Sequence, residues 1–98
     1  MENNYVVILP TEIEEAREEE YLAMWQKAAD EMAKQPGFVR TNMYRTVLPN
    51  AEFRLVNVAE WKSMADWEEG MKHCSMIGQQ VGVVHFSGYE MIRTVVPT

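Results

Sequence analysis

Residues 53–67 read Phe-Arg-Leu-Val-Asn-Val-Ala-Glu-Trp-Lys-Ser-Met-Ala-Asp-Trp: a β-run, a polar turn and the opening of a helix. Successive side chains of a strand point to opposite faces, so Phe53, Leu55, Asn57, Ala59 and Trp61 share one side. Arg54, Val56, Val58 and Glu60 share the other. Both sides are apolar at the centre, which requires cover on both faces. Asn57 sits at that centre. A buried amide without partners costs about 1–3 kcal/mol, so a hydrogen-bonding partner for Asn57 is expected.

Working outward, Pro36-Gly37 ends whatever helix precedes it, and Phe38 to Val47 is an extended run. Leu48 to Glu52 is a turn rich in Pro and Asn, so the two flanking runs pair as an antiparallel hairpin. Upstream, Leu22, Trp25, Ala29 and Met32 recur at helical spacing, and the stripe extrapolates backwards onto Glu18 and Glu15. The packed helix is expected to start near Ala16, although Thr11 and Glu14 match a capping box. The six Glu residues from Glu12 to Glu20 favour a helix start and read as its solvated face. Tyr5 to Leu9 is a β-branched run that suits a buried strand closed by Pro10.

Downstream, Ser63 and Asp66 form a capping pair, and Met64, Trp67 and Met71 make a one-sided stripe on a short helix weakened by Gly70 and finished near His73. Cys74 to Gly82 is ambiguous, with Met76 and Ile77 able to anchor a further helical turn. Val83 to Val96 is expected to form the longest strand, bent or bulged at Gly88. The order β, α, β, β, α, β matches an α+β, ferredoxin-like split βαβ arrangement: one four-stranded antiparallel sheet with both helices on one face. Val56, Val58 and half of the last strand would then lie on an uncovered apolar face. A sheet-to-sheet homodimer is the economical cover, since a two-fold axis lets one patch cover its copy.

With Val56 and Val58 facing a partner, alternation sends Leu55, Asn57 and Trp61 beneath the helices. Trp67 and Trp25 could close a pocket over them, suited to a flat hydrophobic ligand. The same side chains also suit plain core packing. His85, between Val84 and Phe86, reads as a hydrogen-bonded structural residue.

Asn57 and Trp61 within Val-Asn-Val-Ala-Glu-Trp, Trp67 beyond them, and Gln35-Pro36-Gly37-Phe38-Val39 upstream together resemble the antibiotic biosynthesis monooxygenase superfamily, whose members form dimeric ferredoxin-like α/β barrels. The resemblance is greatest to its quinone-forming monooxygenases, of the kind found in actinorhodin biosynthesis. It implies oxidation of a small aromatic phenol or hydroquinone by molecular oxygen with no flavin, haem or metal cofactor. Asn57 would polarise the substrate oxyanion, and Trp61 would donate to the developing peroxide or carbonyl oxygen. Trp67 stands where those relatives have Tyr, and indole can donate one hydrogen bond. Their remaining basic position has no Arg here; Lys72 and His73 are nearest, and His73 could act as a base. Haem degradation is the second activity in the superfamily, sketched by Asn3 or Asn4 with Trp67 and His73. A non-catalytic dimeric module that binds a hydrophobic metabolite is the third reading.

Ninety-eight residues make one domain, 1–98, and 47% hydrophobic content with a net charge of −6 marks it as globular. Nine scattered basic residues argue against nucleic acid and anionic membranes as partners. The opening residues have no positive region and too short an apolar run for a signal peptide, which points to a cytoplasmic address. The single Cys74 and the two histidines, His73 and His85, leave too few ligands for a metal site.

Overall fold

The computed structural model describes residues 4–74 and 81–98. Its elements follow the expected order: β1 (Tyr5–Glu12), a 3₁₀ turn (Glu15–Arg17), α1 (Glu18–Met32), β2 (Phe38–Arg45), β3 (Leu55–Trp61), α2 (Met64–Met71), β4 (Val83–Val84) and β5 (Ser87–Glu90). All strand pairs are antiparallel, in the order β2-β3-β1-β4, with β5 continuing along β1 beside β4. The fold is the ferredoxin-like split βαβ, its fourth strand broken in two.

That break has a local cause. Thr11 pairs with Val84, and Ile8 with Ser87, in one unbroken register, so Pro10 stands opposite His85 and Leu9 opposite Phe86. His85 N–H donates to the Pro10 carbonyl at 2.9 Å. An ordinary residue would return the second bond of such a pair, and proline has no N–H to give. The expectation that Pro10 closes β1 is therefore corrected: β1 runs through it, and the interruption falls on the neighbouring strand. The continuous strand expected over Val83 to Val96 is likewise corrected to two short pieces ending at Glu90, and residues 91–98 carry no regular element. Gly88 forms no bulge. It lies opposite Val7, and a side chain there would collide with the Tyr5 phenol.

Thr11 does not cap a helix. It is buried in β1, with its hydroxyl 3.4 Å from Tyr21 Oη. Ser63 does cap α2, accepting from Asp66 N–H at 3.1 Å. Gly37 adopts φ +84° at the helix-to-strand turn, and Asn50 adopts φ 62° in the hairpin loop, both as the turn chemistry requires. Met76 and Ile77 lie outside the described residues.

In β3, Leu55, Asn57, Ala59 and Trp61 are buried and alternate with half-buried Val56, Val58 and Glu60. The buried side meets the helices in two clusters. Val7, Ala59 and Trp61 pack with Met32 of α1 and Trp67 of α2, while Tyr21, Leu55 and Val81 pack with Leu22, Met24 and Trp25. The principal-axis extents are 43 × 40 × 17 Å, and 17 Å is the thickness of one sheet and one helical layer. The other sheet face, with Val6, Ile8, Val56 and Val58, has no layer over it among the described residues.

Candidate active site

A cavity of about 80 Å³ lies between the buried side of the sheet and the helices. Its floor is built by register. Val7 pairs with Ala59 and Leu9 with Asn57, and all four side chains line it together with Trp61. Ala59 is the small residue between the two long ones, and its methyl leaves the space that a larger side chain would fill. Met32 closes one wall from the end of α1, Trp67 and Met71 another from α2, and Val84 and Phe86 come from the broken fourth strand. Asn57 and Trp61 stand four residues apart on one face, a separation of about 13 Å between their backbones. None of these lining residues carries a titratable side chain.

Asn57 is 6% exposed. Its expected partner is Thr41 of β2, whose hydroxyl donates to Asn57 Oδ1 in a short bond. The amide oxygen is thereby engaged, and the amide N–H groups have no acceptor among the described residues. Trp61 is fully buried, packed edge-on against Phe38 with ring centroids 5.2 Å apart. Its indole Nε1–H has no hydrogen-bond partner among the described residues. Native structures rarely leave a buried donor unpaired, and doing so costs about 1–3 kcal/mol. A neutral, largely apolar cavity is thus bordered by two side chains with donors to spare, which suits a ligand carrying an acceptor oxygen or a developing negative charge.

Trp61 reaches this position because of Gly70. A side chain on Gly70 would lie 2.6 Å from Trp61 Cη2 and 2.9 Å from Cζ3, so the indole's benzene edge occupies the surface of α2 that glycine leaves bare. Trp67, half-buried on the same helix, stacks at a tilt against Tyr5 at 5.6 Å and Phe86 at 6.3 Å.

The other candidates are placed elsewhere. Trp25 does not close the cavity; it packs in the second cluster, with Tyr21 and Leu55. His73 follows α2 with its side chain 58% exposed and 3.6 Å from Glu69, and it is not among the cavity-lining residues. Lys72 is 69% exposed and also pairs with Glu69. The trio sketched for haem is not assembled at the cavity: Trp67 lines it, Asn4 lines an open groove with Tyr5 and Lys62, His73 is at the surface, and Asn3 lies outside the described residues. His85 bonds Glu12 at 2.7 Å on the open side of the sheet. Cys74 is half-buried, and burial raises its thiol pKa, which keeps it protonated rather than reactive. Phe86 and Thr41 were not singled out by the sequence reading. Thr41 reaches the site from β2 and Phe86 from the break between β4 and β5, through pairings that a single strand's pattern does not encode.

Comparison with known proteins decides the family, because the model described as antibiotic biosynthesis monooxygenase matches residues 4–73. The chain belongs to the antibiotic biosynthesis monooxygenase family. No curated protein sequence matches this family member. Among solved structures it is similar to a candidate monooxygenase from Shewanella loihica PV-4, with a TM-score of 0.79 and 26% identity over 96% of this chain and 99% of that one. It shares its fold with an asparagine-to-alanine variant of SnoaB, a cofactor-independent oxygenase from Streptomyces nogalater (TM-score 0.76, 17% identity, 97% and 98% of the two chains). A variant of MhuD with two manganese protoporphyrin IX molecules bound per active site has the same fold (TM-score 0.72, 19% identity, 95% and 99% covered). Among the described residues no helix is long and apolar enough to cross a membrane.

Proposed function

We propose that this monooxygenase-family protein oxidises a small aromatic phenol or hydroquinone with molecular oxygen, without a cofactor, in the cavity above Asn57 and Trp61. The observation that carries the reading is the unpaired indole N–H of fully buried Trp61, which lines the same neutral cavity as an asparagine whose oxygen is already engaged. SnoaB, which shares the fold, is described as cofactor-independent, and this supports the reading.

The substrate class follows from what the cavity lacks. With no titratable group in its lining, the proton must leave an acidic C–H or O–H of the substrate itself, assisted by hydrogen bonds that stabilise the anion. An anthrone is the model case. Deprotonation, with the proton passing to solvent water at the cavity mouth and returned later to the peroxide, gives an electron-rich anion whose exocyclic oxygen accepts from the Asn57 amide N–H. Single-electron transfer to oxygen and recombination form a carbon–oxygen bond as a hydroperoxide, toward which Trp61 Nε1–H donates. Loss of water from that hydroperoxide leaves a carbonyl. One oxygen atom stays in the product and the other leaves as water, with both hydrogens of the former CH₂ group. All the electrons come from the substrate.

Oxygen consumption with an anthrone or a hydroquinone tests this. Removing one preorganised donor costs about 10²–10³-fold in turnover, so Asn57→Ala and Trp61→Phe are each expected to lose activity on that scale. Turnover within about threefold of the parent in both variants would defeat the assignment, since ordinary repacking effects are of that size. The working unit in this proposal is a homodimer, with Val6, Ile8, Val56 and Val58 covered by their copies.

A further inference from the structure

Phe86 combines two properties that ordinarily exclude each other. It lines the cavity, and it is 60% exposed. It therefore stands at the boundary between cavity and solvent, next to Leu9 at the edge of the floor. The backbone carrying it is under-tied, since Pro10 cannot return the hydrogen bond expected at His85, and residues 85 and 86 belong to neither β4 nor β5. On the cavity side of the sheet, the next residue along that strand facing the same way is Gly88, and the space over it is taken by the Tyr5 phenol from β1 and not by a side chain of its own strand. Facing Phe86 is Trp67, with ring centroids 6.3 Å apart and planes tilted by 44°. A planar ring stacked between two others needs them about 7 Å apart, twice a contact distance of about 3.5 Å. A swing of about 1 Å and a rotation of Phe86 would supply that spacing, while the saturated ring system of a similar skeleton is thicker and needs more.

We propose that Phe86 is a specificity-determining gate, which with Trp67 clamps one planar aromatic ring at the cavity mouth and disfavours saturated ligands of the same skeleton. The proposal rests on the reading of the cavity as an aromatic-substrate site, and it adds the residue that selects the ring. The clamp faces of Trp67 and Phe86 make the selection, and the donors on Asn57 and Trp61 take no part in it.

Calorimetric titration of the full chain with 1-naphthol and with decahydro-1-naphthol separates the two roles. Two aromatic faces favour the planar alcohol by about tenfold or more in the parent protein. Phe86→Ala is expected to reduce that preference to about twofold, chiefly by weakening 1-naphthol, and Phe86→Trp to retain it. Because Phe86 is exposed, Phe86→Ala should leave the circular dichroism spectrum and melting temperature unchanged. Asn57→Ala should weaken both alcohols while preserving their ratio. An unaltered preference in Phe86→Ala, or a parent protein that binds neither alcohol or both equally, overturns the gate. Retained selectivity with no oxygen uptake from any anthrone or hydroquinone would leave the gate standing and remove the oxygenase reading.

Discussion

At Gly70, two residue-level preferences conflict. In a helix interior Ala is favoured over Gly by about 0.5–1 kcal/mol, so Gly70→Ala would ordinarily stabilise α2. Here the new methyl would sit 2.6 Å from Trp61 Cη2, and overpacking of a tight contact costs about 1–3 kcal/mol. The second effect is larger. Gly70→Ala is expected to destabilise the protein by about 1 kcal/mol in urea unfolding, and to lower the proposed oxygenase turnover by displacing the indole. From sequence, Gly70 reads only as a weak point of a short helix, because the ring it accommodates is nine positions earlier and on another element. Asn57 is the opposite case. Its need for a partner is legible in a strand centre, yet Thr41 is not, since the β2–β3 register shifts between Phe38 and Arg40.

Between elements, the start of α1 is fastened to the β2–β3 hairpin by charge. Glu18, buried at the first turn of α1, accepts from Arg45 Nε at 2.9 Å and Arg54 Nε at 2.8 Å. The Arg45 hydrogen bond, with Arg54 and the two positive charges adding to it against desolvation, holds the Glu18 carboxyl below its ordinary range. A lowered folded-state pKa means stability that is present above the unfolded pKa and is lost as the pH falls through the folded one. Glu18→Gln should therefore lower the melting temperature at pH 7 by about 4–8 °C, for a loss of about 1 kcal/mol after allowance for the half-exposed Arg45. The difference between variant and parent should vanish in acid, below the folded pKa of Glu18, and a thermal melt series against pH measures both. The helical stripe extrapolates onto Glu18, which falls inside the helix expected to start near Ala16. Reading the acidic run as solvated missed its burial, because its arginine partners lie 27 and 36 residues downstream. The broken fourth strand was missed for a similar reason: the missing donor belongs to Pro10, and its effect falls on His85.

For the molecule as a whole, the order of elements was legible because prolines, glycines and a capping serine punctuate it, and the two-faced pattern of β3 reappears as alternating burial. The aperture of the cavity was not legible, since its lining comes from five separate elements, β1, α1, β3, α2 and the broken fourth strand. Two layers and 17 Å of thickness leave Val6, Ile8, Val56 and Val58 on a face with no third layer among the described residues. The self-complementary dimer proposed above would bury it, and a charge in the middle of such an interface, desolvated against its own copy, costs several kcal/mol. Val58→Asp is expected to shift sedimentation equilibrium from dimer to monomer while the far-ultraviolet spectrum persists. A parent protein that sediments as a monomer would leave the apolar face unexplained.

Met32 and Met71 share the cavity with the two donor-bearing residues. In the oxygenation proposed above, a chamber that handles partly reduced dioxygen beside two thioethers would expose them to sulfoxidation, which turns an apolar wall polar and bulkier. Each escape of peroxide from that proposed course would then erode the container in which it arose, and the useful life of a molecule would be counted in turnovers and not in hours.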